Sequence, residues 1–205
     1  GSDQGGTITV TASGAGSDII TGVNGKGIYA EDSDINLTGG DYVIETKEKG
    51  IGIFASGDTN VNGTLEYKYN GSTTGTGMGI VYDQDGQPIK TNKANVKLNN
   101  ATNTTGGMIG LYTTAGTGNT FINQGDITGT SSALEFGIVS NGADVINDTG
   151  HKIELGNATA QANANVGIYS KAKNKTVNKG SITVGDNAIG IYGYDVDNEN
   201  GALIK

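Results

Sequence analysis

The clearest pattern in the chain is a short apolar phrase that recurs along its length. Most copies begin with an apolar residue, followed by glycine, Ile or Leu, an aromatic residue or valine, and usually a small residue. The copies are Lys26–Ala30, Ile51–Ala55, Met78–Tyr82, Ile109–Thr113, Phe136–Ser140, Val166–Ser170 and Ile189–Gly193. Their glycines are 25, 27, 31, 27, 30 and 23 residues apart. The spacing predicts a repeat protein with units of about 27 residues.

Each copy has the alternation of a β-strand, in which successive side chains point to opposite faces. In the second copy this predicts that Ile51, Ile53 and Ala55 face the interior, while Gly52 and Phe54 face outward. Lys26 occupies the place of Ile51 in the first copy and is the exception to an apolar inner face.

Two further phrases follow each copy of the first. One is an apolar residue or pair followed by asparagine, as in Val145-Ile146-Asn147, and the other is glycine followed by a short alternating strand, as in Gly180–Gly185. Each repeat therefore contains about three short strands separated by Gly, Asn, Asp or Ser turns. The segment Ala94–Leu98 fits this pattern less well than the others.

These units predict an all-β fold, a parallel β-helix of about 7–8 coils with three short strands per coil. They are too short for propeller blades, and they lack the leucine spacing of leucine-rich repeats and the glycine-aspartate nonapeptides of calcium-binding β-rolls. Asparagines at equivalent bends are expected to form hydrogen-bonded ladders. The aliphatic residues after the repeated glycines should stack into one buried column: Ile28, Ile53, Ile80, Leu111, Ile138, Ile168 and Ile191.

Length and terminal residues suggest the domain organisation. The 205 residues are expected to form a single β-helix domain over residues 3–205. Gly1-Ser2 is interpreted as the remnant of an expression tag, and the domain as part of a longer chain, because a short rod has open sheet edges at both ends.

The charge of the chain bears on its partners, and its cysteine content bears on how the fold is held together. The net charge is −8 and all 13 basic residues are lysines, so a nucleic-acid partner is not expected. The chain has no cysteine, which leaves packing and hydrogen bonds to hold the fold. No cofactor or metal is expected, and a monomer is the expected state.

The aromatic residues of the repeated phrase are the first candidates for a binding surface. They include Tyr112, Tyr169 and Tyr192, expected on an outer face beside a strip of glycines. A flat aromatic face suits stacking against sugar rings or docking of a protein. The alternative, which we favour at this stage, is a cross-strand aromatic ladder that stabilises the sheet.

Two segments are expected to be loops that leave the regular coil, and loops on a rigid scaffold often carry specificity. One contains Tyr67 and Tyr69, and the other contains Asp83, Asp85 and Pro88. An insertion without function is the alternative for each of them. Acidic turns such as Asp83-x-Asp85 do not complete the spacing of a calcium-binding EF-hand loop, so no metal site is predicted.

Many parallel β-helices cleave glycans, which makes a glycan-cleaving enzyme a candidate class for this chain. Such chemistry requires two or three carboxylates that converge on one sugar bond, and the outward columns of the repeat lack paired acids. His151, the only histidine, has no evident carboxylate in reach and is expected at the surface. The chain is therefore expected not to be an enzyme, with a glycan lyase or hydrolase of the tailspike type as the alternative.

Several phrases resemble a known family. Gly27-Ile28-Tyr29-Ala30 and Gly167-Ile168-Tyr169-Ser170, together with Asn-x-Gly-x-Ile at 123–127 and 178–182, are similar to passenger repeats of type V autotransporter adhesins, particularly the fusobacterial ones. The resemblance spans about Gly27 to Tyr192 and is one of repeat style, so it carries over no binding residue.

The resemblance implies a right-handed β-helical passenger, secreted across the outer membrane and displayed on the bacterial cell surface. The parent protein would be anchored in the outer membrane by a C-terminal β-barrel outside this chain. Such passengers attach to proteins or glycans of host cells or of other bacteria. The expected function is accordingly a non-catalytic adhesin segment, and a structural stalk that only spaces a distal binding tip is an alternative.

Overall fold

The strands follow one another with short connections. The computed structural model describes residues 6–11, 17–72, 74–83, 89–100, 106–114, 116, 118–129 and 134–205. A 3-10 turn at Gln161–Asn163 is the only helical element among these residues. The strands are β1 (Thr7–Thr11), β2 (Ser17–Thr21), β3 (Lys26–Ala30), β4 (Asp34–Thr38), β5 (Tyr42–Thr46), β6 (Ile51–Ala55), β7 (Thr59–Val61), β8 (Thr64–Tyr69), β9 (Thr76–Tyr82), β10 (Ile89–Asn92), β11 (Asn95–Asn100), β12 (Gly107–Thr113), β13 (Thr120–Asn123), β14 (Ile127–Gly129), β15 (Glu135–Ser140), β16 (Asp144–Asn147), β17 (Lys152–Leu155), β18 (Val166–Ser170), β19 (Lys175–Asn178), β20 (Ser181–Val184), β21 (Ile189–Tyr192), β22 (Asp195–Asn198) and β23 (Leu203–Ile204).

Every third strand joins the same sheet, which confirms the parallel β-helix. In the described part of the chain, the first sheet runs from β1 to β22 and the second from β2 to β23, each with eight strands. The third has seven strands, from β3 to β21. All neighbours within the sheets are parallel. Three consecutive strands therefore make one coil, and each coil pairs only with the coils before and after it.

The predicted aliphatic column is confirmed. Consecutive residues of the column are register partners, from Ile28 with Ile53 to Ile168 with Ile191. The five inner members are fully buried, and those of the first and last of these strands are partly exposed. The segment Ala94–Leu98, which fitted the repeat poorly, lies within the stack because β11 pairs in register with β8 and β14.

An asparagine ladder runs through the interior beside the first sheet. Each amide donates a hydrogen bond to the next side-chain oxygen, from Asn92 through Asn123, Asn147 and Asn178 to Asn198, at 2.8–3.0 Å. Each Nδ2 also donates to a backbone carbonyl in its own coil, which satisfies a polar group that would be costly to bury alone. The predicted ladder is thus confirmed for Asn123, Asn147 and Asn178, and it also includes Asn92 and Asn198, which the sequence pattern did not single out.

The ladder does not extend to the earlier coils. In that column, Thr59 pairs with Asn92 and Ile35 pairs with Thr59. Asn36 and Asn62, which match the apolar-asparagine phrase, lie outside the buried interior. At the upper end of the ladder, the buried hydroxyl of Tyr82 donates to Asn92 Oδ1 at 2.8 Å.

The repeated glycines face the interior, which corrects the expected alternation. A Cβ atom on Gly52 would lie 2.3 Å from Cγ2 of the buried Ile44 and 2.7 Å from the carbonyl oxygen of Gly79. Glycine and the aliphatic residue after it therefore both point inward, and the residue before glycine points outward. Glycine is required here because the second sheet and the neighbouring coil leave no room for a side chain.

Left-handed backbone marks several corners, as the Gly, Asn and Asp turns predicted. Gly63 and Gly150 have φ of 129° and 82°. Asn24 and Asn187 have φ of 57° and 56° at the corner before the third sheet, and Lys49 has φ of 55° at the same corner. A lysine in this region is strained, because its Cβ crowds the following carbonyl group.

Candidate binding surface

The outer face of the third sheet carries two sets of side chains. One set precedes the repeated glycines and includes Lys26 and Phe136, and the other holds the aromatic residues after the aliphatic column. The Lys26 ammonium group lies 4.5 Å from the ring centre of Tyr29 and 4.6 Å from that of Phe54. The position of Lys26 is therefore an outward one, and its charge does not break an inner apolar face as the sequence suggested.

The aromatic column is confirmed as outward but is interrupted. Tyr29 stacks on Phe54 with ring centres 5.0 Å apart, and Tyr169 stacks on Tyr192 at 5.1 Å with planes 6° apart. Val81 and Val139 occupy the same column on β9 and β15. The rings therefore form separate cross-strand stacks instead of one continuous ladder.

The candidates from this column differ in accessibility. Tyr112 and Tyr169 are half-buried, whereas Tyr192 is 56 % exposed. Phe136 and Tyr169 make an edge-to-face contact, with ring centres 6.3 Å apart and planes at 87°. Stacked rings fixed to a rigid sheet present a flat apolar surface whose side-chain entropy is already restricted.

Tyr67 and Tyr69 are not surface residues, and their assignment to a loop was wrong. Both lie on β8 and are fully buried. The Tyr67 hydroxyl lies 2.8 Å from Thr46 Oγ1, and the Tyr69 hydroxyl donates to the carbonyl of Ser72 at 2.9 Å. Burial raises the pKa of Tyr67 above its usual range. These tyrosines fill the core of the solenoid and cannot contact a partner.

The second predicted loop is described only at its first residue. Asp83 is half-buried and accepts a hydrogen bond from Thr114 Oγ1 at 2.9 Å, which links two coils. Asp85 and Pro88 lie outside the described residues. Asp83 therefore has a structural contact of its own.

Many aspartates serve an architectural purpose that the sequence did not reveal. A side-chain oxygen at or near a corner accepts a hydrogen bond from a backbone amide of the next coil, which gives that amide a partner. These bonds run to Asp34 from Asp58 N (2.8 Å), to Asp41 from Thr64 N (2.7 Å), to Asp58 from Thr91 N (3.0 Å), to Asp126 from Lys152 N (3.1 Å) and to Asp144 from Lys175 N (2.7 Å).

His151 has a carboxylate in reach, contrary to expectation. Its Nδ1 lies 3.6 Å from Asp126 Oδ1, and both side chains are about one-third exposed. The same carboxylate oxygen accepts the amide of Lys152, so it already serves the backbone. In the described part of the chain, no group of three or more His, Cys, Asp and Glu side chains is placed to hold a metal ion.

One cleft brings together acids and a buried lysine. It has a volume of about 290 Å³ and is lined in part by Asp32, Asp34, Asp58 and Lys90. Lys90 is 2 % exposed and occupies an inner position, as the register partner of the core residue Phe121. Burial lowers the pKa of Lys90, while the charges of Asp58 and Asp34 act in the opposite direction. The carboxylates therefore offset part of the cost of burying an ammonium group.

The fold and this surface define the chain as a parallel β-helix with a patterned outer aromatic face. No helix among the described residues is both long and apolar enough to cross a membrane. No family model, curated protein or solved structure matches the chain significantly.

Proposed function

We propose that the chain is a non-catalytic segment of a bacterial cell-surface adhesin, in which the solenoid holds a binding face. The observation that carries the proposal is the outer face of the third sheet, where Tyr169 and the exposed Tyr192 form a parallel stack on a rigid scaffold. Exposed aromatic groups on a fixed sheet are typical of recognition surfaces. The repeat resemblance to autotransporter passengers supports display at the cell surface, and a protein or glycan of a host cell or another bacterium is the proposed partner.

Binding of the purified, fluorescently labelled chain to epithelial cells and to bacterial cells tests this proposal. We expect saturable binding that an excess of unlabelled chain displaces. The matched control is Lys97→Gln, an exposed change on the outer face of the second sheet that should leave binding unchanged. Absence of saturable binding to every cell type would instead support the stalk, in which the segment only spaces a distal tip.

A glycan-processing activity is the second candidate, favoured by the three aspartates that line one cleft with Lys90. Glycoside hydrolysis uses a pair of carboxyl groups on either side of the scissile bond. Against it, Asp34 and Asp58 each hold a backbone amide of the next coil, as Asp41 does at another corner. Release of reducing sugar from surface polysaccharides by the native chain, and its loss in Asp34→Asn with Asp58→Asn, would establish this activity.

A further inference from the structure

A second cleft opens at the corner between the third and first sheets. It has a volume of about 320 Å³ and is lined by Ser170–Lys173 on one coil and Tyr192–Tyr194 on the next. This size lies at the small end of the range for ligand sites. The two segments follow β18 and β21 directly, so the pairing of these strands fixes their separation.

The wall of this cleft formed by the later coil is aromatic and exposed. Tyr194, in the turn after β21, is 71 % exposed, and Tyr192, on the last strand of the third sheet, is 56 % exposed. Tyr192 stacks on Tyr169, which covers the face of its ring turned to the coil of Lys171 and Lys173. Tyr194 is therefore the ring open to a ligand, and an aromatic face suits the C–H face of a sugar ring because both surfaces are flat and apolar.

The opposite wall is basic. Lys171 and Lys173 are exposed and follow β18 in the turn, and the Lys173 ammonium group lies 5.5 Å from the ring centre of Tyr194. Among the described residues, no carboxylate oxygen lies within 4.0 Å of either lysine ammonium group. The nearby Lys175, by contrast, pairs with Asp197 at 3.4 Å. In a chain of net charge −8, two lysines without carboxylate partners beside exposed rings make a local site for an anion.

We propose that this cleft binds a carboxylate-bearing sugar, with Tyr194 stacked on the ring and Lys171 and Lys173 paired with the carboxylate. The inference rests on the proposed function and names a site and a ligand class for it. The aspartates of β22 do not line the cleft, so its charge is complementary to an acidic ligand and unfavourable for a cationic one. The Lys173 ammonium group lies over one face of the Tyr194 ring, in a cation–π contact that leaves the other face for the sugar.

Titration of the native chain with 3′-sialyllactose, observed by ligand NMR, tests the proposal, and lactose is the neutral match. We expect sialyllactose to bind, lactose to bind at least tenfold more weakly, and the affinity to fall when sodium chloride rises from 50 to 500 mM, because salt screens the lysines. Lys171→Gln with Lys173→Gln should reduce the affinity at least tenfold, as should Tyr192→Ala with Tyr194→Ala. Lys97→Gln is the matched control on another face, and circular dichroism shows whether each variant is folded.

Each outcome decides the proposal. Equal binding of lactose and sialyllactose would overturn the role of the lysines, and binding unchanged in both double variants would place the ligand elsewhere. If the chain binds cells but not sialyllactose, the acidic-sugar site is wrong while the adhesin function stands. If the chain binds sialyllactose but no cell, the site stands and the adhesin function fails.

Discussion

Replacement of Gly52 by alanine tests the close packing between the third and second sheets. The added methyl group would lie 2.3 Å from Ile44 Cγ2 and 2.7 Å from the Gly79 carbonyl oxygen, where ordinary contacts begin at 3.4 Å. The neighbours would have to separate by about 1 Å, and one of them is backbone. Overpacking of a core costs about 1–3 kcal/mol, and a carbonyl oxygen cannot rotate away, so we expect a loss of about 3 kcal/mol.

Denaturant unfolding followed by circular dichroism measures this loss. A change of about 3 kcal/mol also lowers the Tm by about 6–12 °C for a chain of this size. Two matched controls are Gly22→Ala and Gly107→Ala. A Cβ on Gly22 meets nothing within 4 Å, and one on Gly107 meets its nearest atom at 3.5 Å. Both changes are expected to be neutral or to stabilise by a few tenths of a kcal/mol, because alanine restricts the unfolded chain.

A double-mutant cycle with Ile44→Ala separates the two contacts. Removal of Cγ2 from Ile44 relieves one contact but leaves the Gly79 carbonyl group in place, so the combined cost should be smaller than the sum of the two single costs. A cost of Gly52→Ala no greater than that of the controls, or additivity of the two changes within about 0.5 kcal/mol, would show that these contacts do not make glycine necessary at this position.

Three further predictions concern the ladder, the buried lysine and a strained corner. Asn123→Ala leaves Asn147 Oδ1 and the Gly125 carbonyl group without this hydrogen-bond donor, so we expect it to lower the free energy of unfolding by about 2–4 kcal/mol in denaturant. The exposed Asn60→Ala is the control and should change it by no more than about 0.5 kcal/mol. Equal costs for the two variants would contradict a stabilising role of the ladder. Burial lowers the pKa of Lys90, so between this lowered pKa and the ordinary value of 10.5 the unfolded state binds more protons than the folded state. The stability of the native chain, measured by urea unfolding, should therefore rise relative to that of Lys90→Met as the pH approaches 10.5, and a difference that falls over this range would contradict the prediction. Lys49→Asn should raise the stability by up to about 1 kcal/mol, because asparagine tolerates the left-handed φ that Lys49 adopts; a loss in thermal unfolding would contradict the strain.

The architecture could be predicted because it repeats. Equivalent residues such as Ile53 and Ile80 recur at the coil spacing, and stacking of coils then follows from burial alone. The asparagine ladder could be predicted for Asn147 and Asn178 for the same reason. The same phrase also predicted a ladder position for Asn36, but this residue, in an early coil, lies outside the buried column.

Strict alternation along the strand did not predict correctly which residues of the repeated phrase point inward. A period of two assigns Gly52 and Ile53 to opposite faces, whereas both point inward, and only the contact of Gly52 with Ile44 reveals this. Tyr67 and Tyr69 alternate with Leu65, and this alternation indicates an inward face. The turn residues that follow them indicated a loop instead, and that prediction was wrong.

The acidic-sugar cleft also depends on information that the sequence does not contain. Lys173 and Tyr194 lie 21 positions apart in two turns without a recurring phrase. Their proximity follows from the register of β18 with β21. A pattern read along one strand cannot identify such a site, because its residues come from different coils.

Display of this chain on a non-adherent bacterium tests the adhesin function most directly. Bacteria that carry the native chain, and bacteria that carry the Tyr192→Ala, Tyr194→Ala variant, are counted on epithelial and bacterial target cells, with equal display confirmed by antibody. We expect the native chain to mediate attachment that the variant reduces severalfold and that Lys97→Gln leaves unchanged. Attachment no greater than that of bacteria without the chain, on every target, would contradict an adhesin.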